Sequence, residues 1–254
     1  MPGLTPSARA RILHRRAIAS TRRGRIASGL EDINEAVAIG SDLPRLLAVR
    51  SWIRTVAGQP EEALDDAMRV IRDTEQRDCT DETFHCAIVN ACNILVLGSV
   101  DVSKGCLNTL SETVDRCLST LPTNGNPFRR TRLMRHMLRR ASALLAMRRG
   151  ELRPSAIALG KVLKALEGDY PERAMATALD LLVVLTKDGR GEEAPELAGR
   201  ALALLDRLTA PIDAMARTAL LSLSRSDYVT LEDAVEMRSL FRPPPVRVSS
   251  KSDC

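Results

Sequence analysis

The chain of 254 residues is 44% hydrophobic but only 2% aromatic, so Ala, Leu, Val, Ile and Met must build its core. These are mostly good helix formers, which points to an all-α protein, too apolar for a wholly disordered chain. No apolar run approaches the roughly 18 residues of a membrane span. The net charge of +5 hides two basic blocks on an acidic background: residues 1–30 hold seven Arg and no acid, and residues 128–153 hold nine Arg and one Glu.

Hydrophobic periodicity and Gly/Pro punctuation predict twelve helices. The first two, over about 6–22 and 26–38, flank Gly24. The next two, about 43–57 and 60–75, flank Gly58, which lies 34 residues further on. Helices over about 81–98 and 105–120 follow, then a loop at Leu121–Pro127. Helices over about 127–149 and 153–167 flank Gly150, and those over about 171–188 and 191–208 flank Gly189. The last two span about 211–224 and 230–240, the latter opening with a capping-box-like Thr230-Leu-Glu-Asp233. Pro44, Pro122, Pro127, Pro171 and Pro211 all fall at joints of this map. The helices pair into six antiparallel hairpins over residues 1–241, and the Pro/Ser-rich tail 242–254 reads as extended or disordered.

A repeat underlies the map. Gly58-Gln-Pro-Glu-Glu-Ala63-Leu-Asp-Asp-Ala67 and Gly189-Arg-Gly-Glu-Glu-Ala194-Pro-Glu-Leu-Ala198 write the same pattern, G-x-x-E-E-A-x-x-x-A. Each stops one helix with Gly and opens the next with acids that complement its dipole. Counting from the glycines, matching positions hold Ala17, Gly29, Ile33 and Ala36 in the first unit, Ser51, Ala63, Ala67 and Val70 in the second, and Ala194, Ala198 and Ala201 around Gly189, most of them small. On these residues the chain resembles the tetratricopeptide (TPR) family, without that family's usual helix-A Trp and Tyr and, in most units, its closing Pro. The resemblance implies a TPR-like α-solenoid, a right-handed superhelix of about six hairpins in which the first helix of each hairpin lines a concave groove.

Carrying those groove-lining positions over gives Arg11, His14, Ile18 and Arg22 in the first unit and Arg45, Ala48, Trp52 and Thr55 in the second. It gives Met137, Arg140, Leu144 and Arg148 before Gly150, and Leu179, Val183 and Lys187 before Gly189. That surface is basic with apolar patches and suits an acidic or amphipathic peptide segment, its carboxylates held in Arg forks. Arg11, His14, Arg22, Arg45, Trp52, Arg140, Arg148 and Lys187 are the candidate partner-binding residues, with Trp52 either an anchor or a helix-packing residue. His14 and Ile18 stand where clamping of a C-terminal carboxylate would need Lys and Asn, so chaperone-tail binding is not expected.

Other chemistries find little support. The three His lie in different hairpins, and there is no H-E-x-x-H, nucleophile elbow or P-loop. Neither catalysis nor a cofactor is therefore expected. The six Cys form no C-x-x-C and read as thiols packed as small hydrophobes in a reducing cytoplasm. A Cys79–Cys86 disulfide or a metal site using His85 is the alternative. Nucleic-acid binding would use the Arg faces but lacks stacking aromatics beyond Phe128. The repeats are also similar to the helical sensor region of MalT-like bacterial transcription regulators, which makes a regulatory domain acting through a partner the second reading. Residues 1–25 have the acid-free Arg/Ser/Ala composition of a transit peptide, yet their 34-residue phasing places them within the repeat.

Overall fold

The computed structural model describes residues 4–74, 82–96, 103–121, 129–208 and 214–240. The expectations for Cys79, Phe128, Pro211, the Pro122–Pro127 loop and the tail 242–254 lie outside the described residues. Those described form helices: α1 Pro6–Arg22, α2 Ile26–Ile39, α3 Leu43–Val56, α4 Pro60–Thr74, α5 Glu82–Val96, α6 Lys104–Thr120, α7 Arg129–Arg148, α8 Leu152–Leu166, α9 Pro171–Lys187, α10 Ala194–Asp206, α11 Ala214–Ser224 and α12 Leu231–Leu240. No strand occurs among the described residues. Among them too, no helix is long and apolar enough to cross a membrane, and no group of His, Cys, Asp or Glu is placed to hold a metal ion.

Local chemistry sets the boundaries. Pro occupies the first turn of α1, α3, α9 and α10, where an amide has no intrahelical partner to lose. Thr230 and Asp233 form the expected capping box: Asp233 N donates to Thr230 Oγ1 at 3.1 Å, and Thr230 N donates to Asp233 Oδ2 at 3.0 Å. One boundary differs from expectation. α10 starts at Ala194, after a single 3-10 turn over Gly191–Glu193. An α-helix begun at Gly191 would need an N–H from Pro195, which has none. The Gly191 carbonyl accepts instead from Val229 N at 3.1 Å.

The repeat is written most plainly where the first helix of a hairpin ends. Gly24, Gly58, Gly150 and Gly189 all take left-handed backbone, with φ of 78°, 76°, 87° and 77°. After Gly58, Gln59 N reaches back to Arg54 O at 2.9 Å and Gly58 N to Thr55 O at 3.3 Å. Arg25 N to Ser20 O, Glu151 N to Ala146 O and Arg190 N to Leu185 O repeat the longer bond at 2.9, 3.0 and 2.9 Å. This is the Schellman cap, made four times in one register.

The chain gathers into two compact units, the first holding α1–α4 and nearly all of α5, the second α6–α12. In the first, α1 pairs with α2 and α3 with α4, while α2 and α1 both meet α3. Backbones approach closely: a Cβ on Gly29 would meet Thr21 Oγ1 at 2.2 Å and Ala17 O at 3.1 Å. Ala63 and Ala67 are fully buried at the matching α3–α4 seam. α5 is tied in by Asn90, whose Nδ2 donates to Ala48 O at 2.9 Å. In the second unit the successive helices α6 to α11 pack in order, and α12 meets α11 but lies chiefly on α9. Ser155 holds the small position after Gly150, its hydroxyl donating to Ala143 O at 2.7 Å. Cys86, Cys92 and Cys117 are buried and Cys106 half-buried.

Candidate partner-binding surfaces

In the first unit, positions 11, 14, 18 and 22 of α1 share one helical face. Arg11 and Arg22 are exposed, while His14 and Ile18 are half-buried, Ile18 against the hydrophobic core. On α3, Arg45 and Thr55 are half-buried and Ala48 is buried. Trp52, a candidate anchor, is only 6% exposed and packs in the core cluster with Leu13, Ala17, Ile33, Ala36 and Ile53. This corrects the anchor reading in favour of the packing one: the single indole is buried among the aliphatic side chains of α1, α2 and α3.

His14 and Arg45 form the electrostatic centre of this face. Burial lowers the His14 pKa, and the Arg45 charge lowers it further against the opposing pull of Asp42, both favouring the neutral imidazole. Asp42 Oδ2 lies 3.5 Å from Arg45 Nη1. His14 Nε2 and Arg45 Nε are buried without a hydrogen-bond partner among the described residues, so the loss of hydration at these two atoms is not offset by hydrogen bonds there. A partner carboxylate set against Arg45 would accept from its Nε, alongside the Asp42 carboxylate already paired with Nη1.

In the second unit the structure departs from the expected groove. Residues Ala174–Thr186 of α9 are buried without a break, and α12 packs on that helix. Leu179 and Val183 are therefore interior, as are Met137 and Leu144. Arg140 is 2% exposed. Its Nε donates to Asp180 Oδ2 at 2.6 Å, and Arg238 Nε from α12 donates to Asp180 Oδ1 at 2.6 Å. The expectation for Arg140 is corrected accordingly: it is an internal cation that helps fasten α12, on a face that α12 covers. Arg148 is half-buried and Lys187 exposed, each in the last turn of its helix.

No family model matches the chain, and no curated protein matches it. Solved structures do. A thermophilic TPR protein from Thermus thermophilus aligns with a TM-score of 0.59 at 18% identity, over 85% of this chain and 98% of that one. Two structures of a Podospora anserina protein with nearly identical TPR-like repeats align with TM-scores of 0.55 and 0.53 at 15% and 14% identity, over 80% and 82% of this chain and 96% and 99% of theirs. This is a divergent TPR-like helical repeat fold. The TPR-like register fits the four Schellman caps and the small residues that follow them.

The TPR-like hairpins also carry a feature that the repeat spacing alone could have revealed. Arg16 Nε donates to Asp32 Oδ2 at 2.7 Å, with Nη2 on Oδ1. Thirty-four residues on, Arg50 Nε donates to Asp66 Oδ2 at 2.8 Å and Nη2 to Oδ1 at 2.7 Å. The same bidentate fork thus bridges the two helices of each of the first two hairpins. Its signal was an Arg and an Asp repeating in register with Gly24 and Gly58. Asp180, by contrast, gave no signal, because its partner Arg238 lies 58 residues away.

Proposed function

We propose that this chain is a non-enzymatic protein-interaction scaffold that binds an acidic or amphipathic peptide segment on the α1/α3 face of its first unit. The observation that carries the reading is the His14–Arg45 pair, with two buried polar atoms lacking hydrogen-bond partners and Arg11 and Arg22 exposed on the same helix as His14. The TPR-like fold supports it, since stacked hairpins offer an extended surface for a partner. Arg binds carboxylates bidentately through a preorganised fork, and the apolar Ile18 beside it suits the other side of an amphipathic segment.

The double variant Arg11→Glu/Arg45→Glu tests this. It should lose the partners that the immobilised wild-type chain captures from its native lysate, while far-UV circular dichroism keeps its helical signature. An unchanged set of captured partners would refute the assignment of this face.

A further inference from the structure

The repeat register singles out two hairpins without the fork: at the matching positions α9–α10, capped at Gly189, holds Leu181 and Leu197, and α7–α8 holds much smaller side chains. Counting from the Schellman glycine, the position eight before is Arg16, then Arg50, and the position eight after is Asp32, then Asp66. In the α7–α8 hairpin, capped at Gly150, the same positions hold Ser142 and Ala158. The guanidinium–carboxylate fork that spans the first two hairpins is replaced by a hydroxymethyl and a methyl. A third position changes with them. Eleven residues before the glycine stand Leu13 and Leu47, 3% and 1% exposed. Before Gly150 stands Arg139, which is exposed.

The result is an open groove of about 550 Å³ where α6 and α8 flank α7. Ser142, Ala146 and Ala158 line it with small side chains, Leu118 closes it from α6, and its charged lining residues, Arg139 and Lys161, are both cations, with the titratable His136 beside them. No Asp or Glu lines it. Other Arg side chains of α7 are engaged: Arg132 with Asp169, Arg135 with Leu121 O, Arg140 with Asp180. Arg139 and Lys161 have no carboxylate partner among the described residues. His136 Nδ1 is buried with no hydrogen-bond partner among the described residues.

We propose that this groove is a second docking site, and that its occupant is an acidic amphipathic helix of a partner protein. Short apolar side chains of that helix would fill the space over Ser142, Ala146 and Ala158, while its carboxylates meet Arg139 and Lys161. Charge complementarity selects the occupant: a surface lined by methyls and ringed by cations without acids matches carboxylates alternating with apolar groups. The potential there is also felt by His136, whose pKa is lowered by burial and then by Arg139, Arg132 and Arg135. A nucleic-acid strand fits less well, because no aromatic lines the groove to stack a base.

The site lies in the second unit and is independent of the α1/α3 face, so it is tested in the Arg11→Glu/Arg45→Glu background. The probe is a fluorescein-labelled helical peptide of Leu, Ala and Glu, titrated by anisotropy against the full chain. Binding should be present in that background. It should weaken about tenfold or more, a loss of about 1.4 kcal/mol, in Ser142→Arg/Ala158→Asp, which rebuilds the fork of the sister hairpins. Arg139→Glu, an exposed change that leaves packing intact, should weaken it similarly and keeps the test valid if the fork variant fails to fold. Absence of binding in the background, undiminished binding to Arg139→Glu, or equal displacement of the probe by a single-stranded oligonucleotide would each overturn the proposal. None of these outcomes bears on partner capture through Arg11 and Arg45.

Discussion

Asp180 accepts from two guanidiniums at zero exposure, whereas the Arg132–Asp169 pair is about half exposed on both sides. The two pairs have similar chemistry but very different surroundings. Removing one partner of a buried pair leaves an uncompensated charge in the interior, at a cost of about 3–5 kcal/mol. An exposed pair contributes at most about 1 kcal/mol. Asp180→Ala should therefore lower the urea-unfolding free energy of the second unit by about 3–5 kcal/mol, and Asp169→Ala by no more than about 1 kcal/mol. Equal costs for the two would mean that the Arg140–Asp180–Arg238 cluster does not fasten α12. The Arg run 129–140 reads as one basic stripe in the sequence. In the fold its members diverge, because burial and partners differ from one turn of α7 to the next, and nothing local in the sequence records which Arg finds a distant Asp.

At the scale of elements, helix boundaries were legible because their causes are local: Pro in first turns, Gly at stops, acids in the opening turn of α4. The start of α10 escaped because the G-x-x-E-E-A pattern makes its two copies look equivalent. Pro60 begins its helix, but Pro195 sits four residues after Gly191 and withholds the bond that would extend the helix backwards. The placement of α12 on α9 escaped for a different reason. α12 has only ten residues and buries Ala234, Met237 and Arg238, so an Arg that reads as a solvent-facing residue is part of its docking face. The two kinds of glycine should also separate by experiment. Gly58 has φ of 76° and open space at its Cβ position, so Gly58→Ala costs backbone strain alone, about 1–2 kcal/mol. Gly29 lies in ordinary helix, but its Cβ would strike Thr21 and the Ala17 carbonyl. Gly29→Ala should lower the unfolding midpoint in urea, and the further change Thr21→Ser should not restore it, because the clashing Oγ remains. Partial restoration by Thr21→Ala, which leaves the tight Ala17 carbonyl contact, and none by Thr21→Ser is the expected pattern.

For the whole molecule, the repeat supplies a common frame from which individual hairpins depart. The scarcity of aromatics fits seams built on Gly, Ala and Ser, with Trp52 drawn into the core. Of the positions expected to line a groove, Arg11 and Arg22 on α1 are exposed and Arg45 on α3 is half-buried, while Leu179 and Val183 lie inside α9, on which α12 packs. That contrast was not legible, because a covering helix that returns from later in the chain is a tertiary event with no periodic trace. Hydrogen–deuterium exchange of the full chain, with and without a partner captured from lysate, tests the central claim most directly. The expected result is slowed amide exchange in α1 and α3 on partner binding, lost in Arg11→Glu/Arg45→Glu. Unchanged exchange in both helices while the partner is bound would contradict the assignment of the α1/α3 face.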